Sequence, residues 1–169
     1  MSGSSSGENI EWVTNKIKEL SPSSILDIGA GRGYYGNIAK SLGIKKIHAV
    51  EVWEPSIKEF NLNSIYDYVF LADVRKFEDF NYDLVIFGDV LEHMSEQEAV
   101  DIYNKALNSA KNVFFSLPII HYPQGCDAGN PYEEHIVEDW NHERVLKAFP
   151  YIYDWKTYEV TGSYIGKKE

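Results

Sequence analysis

The 169-residue chain suits a single domain, long enough to bury a continuous core without covalent staples. A formal net charge of −10, with no Lys/Arg cluster beyond short pairs, argues against a nucleic-acid backbone as partner, because that affinity rests on cationic side chains. One cysteine, Cys126, excludes an internal disulfide framework and fits a reducing cytoplasm, and the longest apolar runs, such as LVIF at 84–87, are too short to span a bilayer.

Residues 1–7, MSGSSSG, read as a disordered tail or expression linker, leaving 8–169 as the domain. In 8–20, Ile10, Val13, Ile17 and Leu20 recur at helical spacing, so an amphipathic helix opens the fold. Trp12 lies on that helix, where it could pack on a sheet or face a substrate. SPSS at 21–24 breaks the helix, and ILDIG reads as a short buried strand. A helix follows with Tyr35, Ile38, Ala39 and Leu42 on one face, stopping at Gly43. KKIHAVE gives a second strand ending at Glu51, EPSIKEFNLNS a short helix with proline in its first turn, and DYVFLAD a third strand ending near Asp73. YDLVIFGD is the clearest buried strand and ends at Asp89. Ser95 and Glu98 stand at capping-box spacing before a long helix. KNVFFSLP is a fifth strand, 118–137 an irregular loop, EDWNHERVLKAF a helix, and IYDWKTYEV with SYIGKK a closing pair of strands.

Strands alternating with helices imply right-handed crossovers and a mostly parallel sheet covered on both faces, a three-layer αβα sandwich of seven strands. Asp27, Glu51, Asp73 and Asp89 all fall at strand C-terminal ends. In an open α/β sheet those ends line the ligand crevice. Core packing rarely puts carboxylates there, so the four read as one site.

The turn ILDIGAGRGYYG at 25–36 poses the question of what that site holds. A dinucleotide fingerprint wants G-x-G-x-x-G, whereas this turn opens with glycines at every second position, Gly29, Gly31 and Gly33; a phosphate-binding loop wants G-x-x-x-x-G-K-[ST], and its Lys is absent. Asp27 beside the turn is a poor neighbour for polyphosphate and a good one for an ammonium or sulfonium. The stretch resembles the first motif of class I S-adenosylmethionine-dependent methyltransferases, D/E-x-G-x-G-x-G, matched by Asp27, Gly29, Gly31 and Gly33, with Ala30 inside the turn. The resemblance implies a Rossmann-like fold with an antiparallel strand near the C-terminus. It implies S-adenosyl-L-methionine as cofactor and S-adenosyl-L-homocysteine as product. It also implies that Glu51, 20 residues after Gly31 and followed by Val52, grips both ribose hydroxyls. Asp73 and Val74 would read the adenine edge. FGDVLEHM at 87–94 is similar to the family's D-V-L-E-H turn, so Asp89 and Val90 would flank the cofactor. His93 in that pattern is commonly structural, although it would border the acceptor pocket. The resemblance spans about residues 25–117.

The long loop after the fifth strand is expected to form the acceptor pocket, with Tyr122, Asn130 and Tyr132 as its candidate lining. Methyl transfer needs a base only for an acceptor that still carries its proton, and His121 and His135 are the candidates for that role. His121, His135 and His142 fit no tight metal template, so no metal is expected. The expected reaction is in-line methyl transfer to a small molecule or a single side chain, in which a protein partner or a second copy of the chain could complete the pocket. Three alternatives stay open: a cofactor-fold binding module without chemistry, an aminopropyl-type transferase drawing on Glu133, Glu134, Glu138 and Asp139, and an NAD-binding Rossmann protein.

Overall fold

The protein is described by a computed structural model covering residues 7–169; apart from Gly7, the tail expected at 1–7 lies outside the described residues. Helix α1 (Ile10–Leu20) buries Val13 and Ile17 and ends at Ser21, whose left-handed conformation closes the last turn. Then follow β1 (Ser24–Ile28), α2 (Tyr34–Ser41), β2 (Lys46–Glu51), α3 (Glu54–Glu59), β3 (Tyr68–Leu71) and β4 (Leu84–Gly88). Helix α4 (Glu96–Ser109), β5 (Asn112–Pro118), α5 (His142–Ala148), β6 (Ile152–Thr157) and β7 (Thr161–Gly166) complete the chain.

The seven strands form one sheet in the order β3-β2-β1-β4-β5-β7-β6. Strands β1 to β5 pair in parallel, and β7 runs antiparallel to both of its neighbours. Alternate residues of the central strands feed two separate cores. Leu26, Ile28, Val85, Phe87, Val113 and Phe115 face Ala99, Tyr103, Ala106 and Val145 from α4 and α5. Ile25, Leu84, Ile86 and Phe114 face Val13 and Ile17 of α1 and Tyr35 and Ala39 of α2. Burial on both faces is why these strands read as unbroken apolar runs instead of alternating ones. Removing one wholly buried ring, such as that of Phe87, from so packed an interior costs roughly 3–5 kcal/mol.

The capping box forms as expected: the Ser95 hydroxyl accepts the Glu98 N–H at 3.2 Å and the Glu98 carboxylate accepts the Ser95 N–H at 2.9 Å. The helix expected over 138–149 starts later, at His142. Asn141 caps it by accepting the Arg144 N–H at 2.9 Å, while the Glu138 carbonyl is taken by the Tyr122 N–H and is lost to the helix. No helix among the described residues is long and apolar enough to cross a membrane.

Candidate active site

At the junction of β1 and β4 the chain leaves the sheet in opposite senses, toward β2 on one side and β5 on the other, which opens a crevice at the strand ends. Between β1 and α2 the turn runs through Gly29, Gly31 and Gly33, all with positive φ. At Gly29 the reason for glycine is double: φ is +68° and a Cβ there would stand 2.6 Å from a methyl of Val90. Bare backbone therefore lines the crevice floor. Glu51, 6% exposed at the end of β2, accepts the Gly31 N–H at 3.1 Å through one carboxylate oxygen and the Trp53 N–H at 2.8 Å through the other. Burial raises its pKa, and the two N–H donors oppose that shift. Each oxygen keeps a further lone pair for a ligand hydroxyl.

Asp73 follows β3 and caps a 3-10 turn (Val74–Lys76) by accepting the Arg75 N–H. The Arg75 guanidinium grips the same carboxylate, at 2.6 Å for its closest nitrogen, and holds its pKa below the usual range. Asp89 follows β4 in a left-handed conformation (φ +53°), which is uncommon for non-glycine residues and is adopted by Asp more readily than by most. Two bonds fix it to β5, from its N–H to the Ser116 carbonyl at 3.0 Å and from the Ser116 hydroxyl to its carboxylate at 3.1 Å.

Over the crevice lies the loop between β5 and α5, ordered by bonds among its own residues. Its Gln124 carbonyl accepts the His135 N–H at 2.9 Å, and the Gln124 amide donates to the Glu133 carbonyl at 2.7 Å. Asn130 is buried and caps the Pro131–Glu133 turn by accepting the Tyr132 N–H. The Tyr132 ring comes to 6.4 Å from that of Trp53, next to Glu51, so the loop reaches across to β2. One continuous cavity extends from the glycine turn and Glu51 to Tyr122, Asn130, Tyr132 and His135.

A family model described as a methyltransferase domain matches residues 26–116, more than half of the chain and the span from β1 to β5. The chain belongs to that family. It is a class I, S-adenosylmethionine-dependent methyltransferase. An S-adenosylmethionine-dependent methyltransferase from Clostridium acetobutylicum ATCC 824 superposes with a TM-score of 0.71 at 14% identity, covering 93% of this chain and 89% of that one. Magnesium protoporphyrin IX methyltransferase from Synechocystis PCC 6803, solved with bound SAM, gives 0.68 at 13% identity over 95% and 79%. The N-terminal domain of EvdMO1 with SAH bound gives 0.68 at 13% identity over 96% and 82%. No curated protein sequence matches significantly.

In the methyltransferase, Gly29, Ala30, Gly31, Glu51, Val52, Asp73, Val74, Asp89 and Val90 all line the cavity. Asp27 and Gly33 do not. The Asp27 carboxylate is wholly buried beneath the turn, where the Tyr66 hydroxyl donates to it at 2.5 Å. Desolvation pushes its pKa up to about 7, against the pull of the Tyr66 bond. Gly33 supports the turn from behind: it starts α2 in a left-handed conformation, and a Cβ there would meet Ile65 at 2.5 Å.

Toward the acceptor end, His93, Tyr122, Asn130, Tyr132 and His135 line the cavity, whereas Trp12 and His121 do not. Trp12 packs on Phe114 beneath the sheet, at 6.2 Å between rings, so its place as a pocket residue is corrected to that of a core residue. His121 is exposed outside the cavity, which removes it as a base candidate. His142 bonds the Tyr164 hydroxyl at 3.0 Å and does not line the cavity.

Of the lining residues that escaped sequence reading, three bear on the chemistry. Arg75 enters through its grip on Asp73. The Tyr34 hydroxyl is buried without a partner, and desolvation pushes its pKa up to about 12. Glu92 is 1% exposed, and burial, with Asp89 nearby, raises its pKa well above the carboxylate range. Its position next to His93 in the D-V-L-E-H turn was the only available signal.

Proposed function

We propose that this methyltransferase transfers a methyl group in line to a small molecule or a single side chain held beneath the loop between β5 and α5. The observation that supports it is the unbroken cavity joining the glycine turn and Glu51 to Tyr122, Tyr132 and His135. S-adenosylmethionine, when bound, supplies a methyl carbon activated by a sulfonium. Glu51 offers two acceptor oxygens to the ribose hydroxyls, each oriented by a backbone N–H. Asp73, Val74, Asp89 and Val90 line the same cavity; in this reading the first two border the adenine and the last two stand between cofactor and acceptor. Backbone without side chains at Gly29 and Gly31 lets the methionine end approach closely. Holding acceptor and methyl carbon about 3–3.5 Å apart supplies most of the rate enhancement, because the leaving thioether needs no proton. His135 is the cavity's candidate base for an acceptor that keeps its proton. Of the four acids that could suit a polyamine, only Glu133 lines the cavity, so aminopropyl transfer gains no support.

Calorimetry with S-adenosylhomocysteine tests the cofactor half, with NADH as control, and a screen of phenols, alcohols, acids and amines tests the acceptor half. Saturable binding of the homocysteine product and none of NADH is the expected result. A folded protein that binds neither would overturn the reading.

A further inference from the structure

Two short segments far apart in sequence meet at the acceptor end of the cavity. The 3-10 turn Leu91–His93, just past β4, supplies Glu92 and His93, and the loop before α5 supplies His135. One potential ligand atom from each of the three lies within 4.8 Å of the other two. The segments are locked together, because the Glu92 carbonyl accepts the N–H groups of both Ile136 (2.9 Å) and Val137 (3.2 Å).

The three side chains are satisfied in a particular way. Nδ1 of His93 lies 3.1 Å from the Glu134 carbonyl and Nδ1 of His135 lies 2.7 Å from the Tyr122 carbonyl. A carbonyl can only accept, so each neutral imidazole carries its proton on Nδ1 and leaves Nε2 with a free lone pair. Carbonyl partners of this kind orient histidines that bind metals. The two rings lie with their centroids 5.0 Å apart. One carboxylate oxygen of Glu92 is buried with no hydrogen-bond partner at all. An unpartnered acid buried beside two imidazole lone pairs is costly unless a cation completes it.

We propose that Glu92, His93 and His135 bind a divalent first-row cation whose open coordination positions face the cavity and receive the oxygen of a hydroxyl acceptor. Two imidazoles and one carboxylate form a donor set that suits zinc, cobalt, iron or manganese, and three protein ligands leave room for a substrate atom. The inference rests on the methyl-transfer reading for its substrate class, and it replaces the general-base role of His135 with that of a metal ligand. A metal-bound hydroxyl loses its proton near neutral pH, as metal-bound water does. The proton passes to solvent, the oxygen pair forms the new C–O bond, and the S–C pair stays on sulfur as the sulfonium becomes a thioether.

The test is a titration of chelator-treated full chain with Co²⁺, followed by its visible absorption. Saturation at one equivalent is expected for the wild type and for His121→Ala, which lies outside the cavity. Glu92→Gln and His135→Ala are expected to bind Co²⁺ more weakly by more than the roughly 10- to 100-fold typical of losing an outer partner of a metal ligand. Zn²⁺ should raise the unfolding midpoint of the wild type and not that of Glu92→Gln, which separates loss of the site from loss of the fold. Absence of saturable Co²⁺ uptake, or equal uptake by all variants, would overturn the proposal. Binding of S-adenosylhomocysteine to the same metal-free samples reports the methyl-transfer reading separately. If the product binds and Co²⁺ does not, the metal inference alone fails; if Co²⁺ binds and the product does not, the site stands without its hydroxyl acceptor.

Discussion

Gly31 donates its backbone N–H to the carboxylate of Glu51 at 3.1 Å, so the end of β2 holds the turn that follows β1. Because the other Glu51 oxygen takes the Trp53 N–H at 2.8 Å, both oxygens are aimed before any ligand arrives. Glu51→Gln must turn an NH₂ toward one of those two donors. The affinity for S-adenosylhomocysteine is expected to fall roughly 10- to 100-fold, the worth of one hydrogen bond to a charged group. Calorimetry on both proteins reads this directly, and equal affinities would remove Glu51 from the cofactor site.

Gly29→Ala combines a side chain at φ +68° with a Cβ 2.6 Å from Val90. A loss of roughly 1–3 kcal/mol is expected, seen as a lower midpoint in denaturant. Adding Val90→Ala should recover the part due to the contact and leave the part due to the backbone, a coupling that a double-mutant cycle measures.

Asp27 carries a pKa pushed up to about 7 by burial, so between pH 4 and 7 the folded protein binds a proton that the unfolded chain has released. Its contribution is therefore most favourable in acid and is lost as pH rises through 7. Asp27→Asn keeps an acceptor for Tyr66 and has no charge to bury. Relative to wild type, its stability should improve by about 2–3 kcal/mol between pH 5 and pH 8. Denaturation curves at the two values check this; an unchanged difference would show that Asp27 does not titrate in that window.

Tyr34 presents a buried hydroxyl without a partner to the cavity. Tyr34→Phe should leave the unfolding midpoint unchanged or slightly raised, since it removes an unmet polar group. If bound cofactor or acceptor supplies the missing partner, ligand affinity drops by roughly two- to tenfold. A variant that loses stability and keeps affinity would assign the hydroxyl to the fold instead.

What could be read from the residues alone was what depends on short range. The glycine turn, the carboxylates after β2, β3 and β4, and the Ser95 capping box are each encoded within a few positions, and the strands announce themselves by apolar runs. Burial direction was harder. Asp27 sits in the same motif as Gly29, yet the pleat turns its carboxylate down toward Tyr66, 39 residues on, and no local pattern announces that partner. Trp12 was ambiguous for the same reason, because its contact is Phe114 on the opposite side of the sequence. The meeting of Glu92 and His93 with His135 depends on how an irregular loop folds back, and the spacing of the histidines in the sequence pointed to no metal site.

Strand β7 is the last of the seven to be synthesised and sits between β5 and β6, with all six residues buried. It also anchors the segment before α1: the Thr161 hydroxyl donates to Glu8 at 2.9 Å, and the Asn9 amide donates to Ser163 at 3.1 Å. During translation at about 5–20 residues per second, β5 therefore waits several seconds with an unpaired, strongly apolar edge until β7 leaves the ribosome. That interval is when the nascent chain is most open to misassociation with other nascent chains, and when a chaperone holding β5 would matter most.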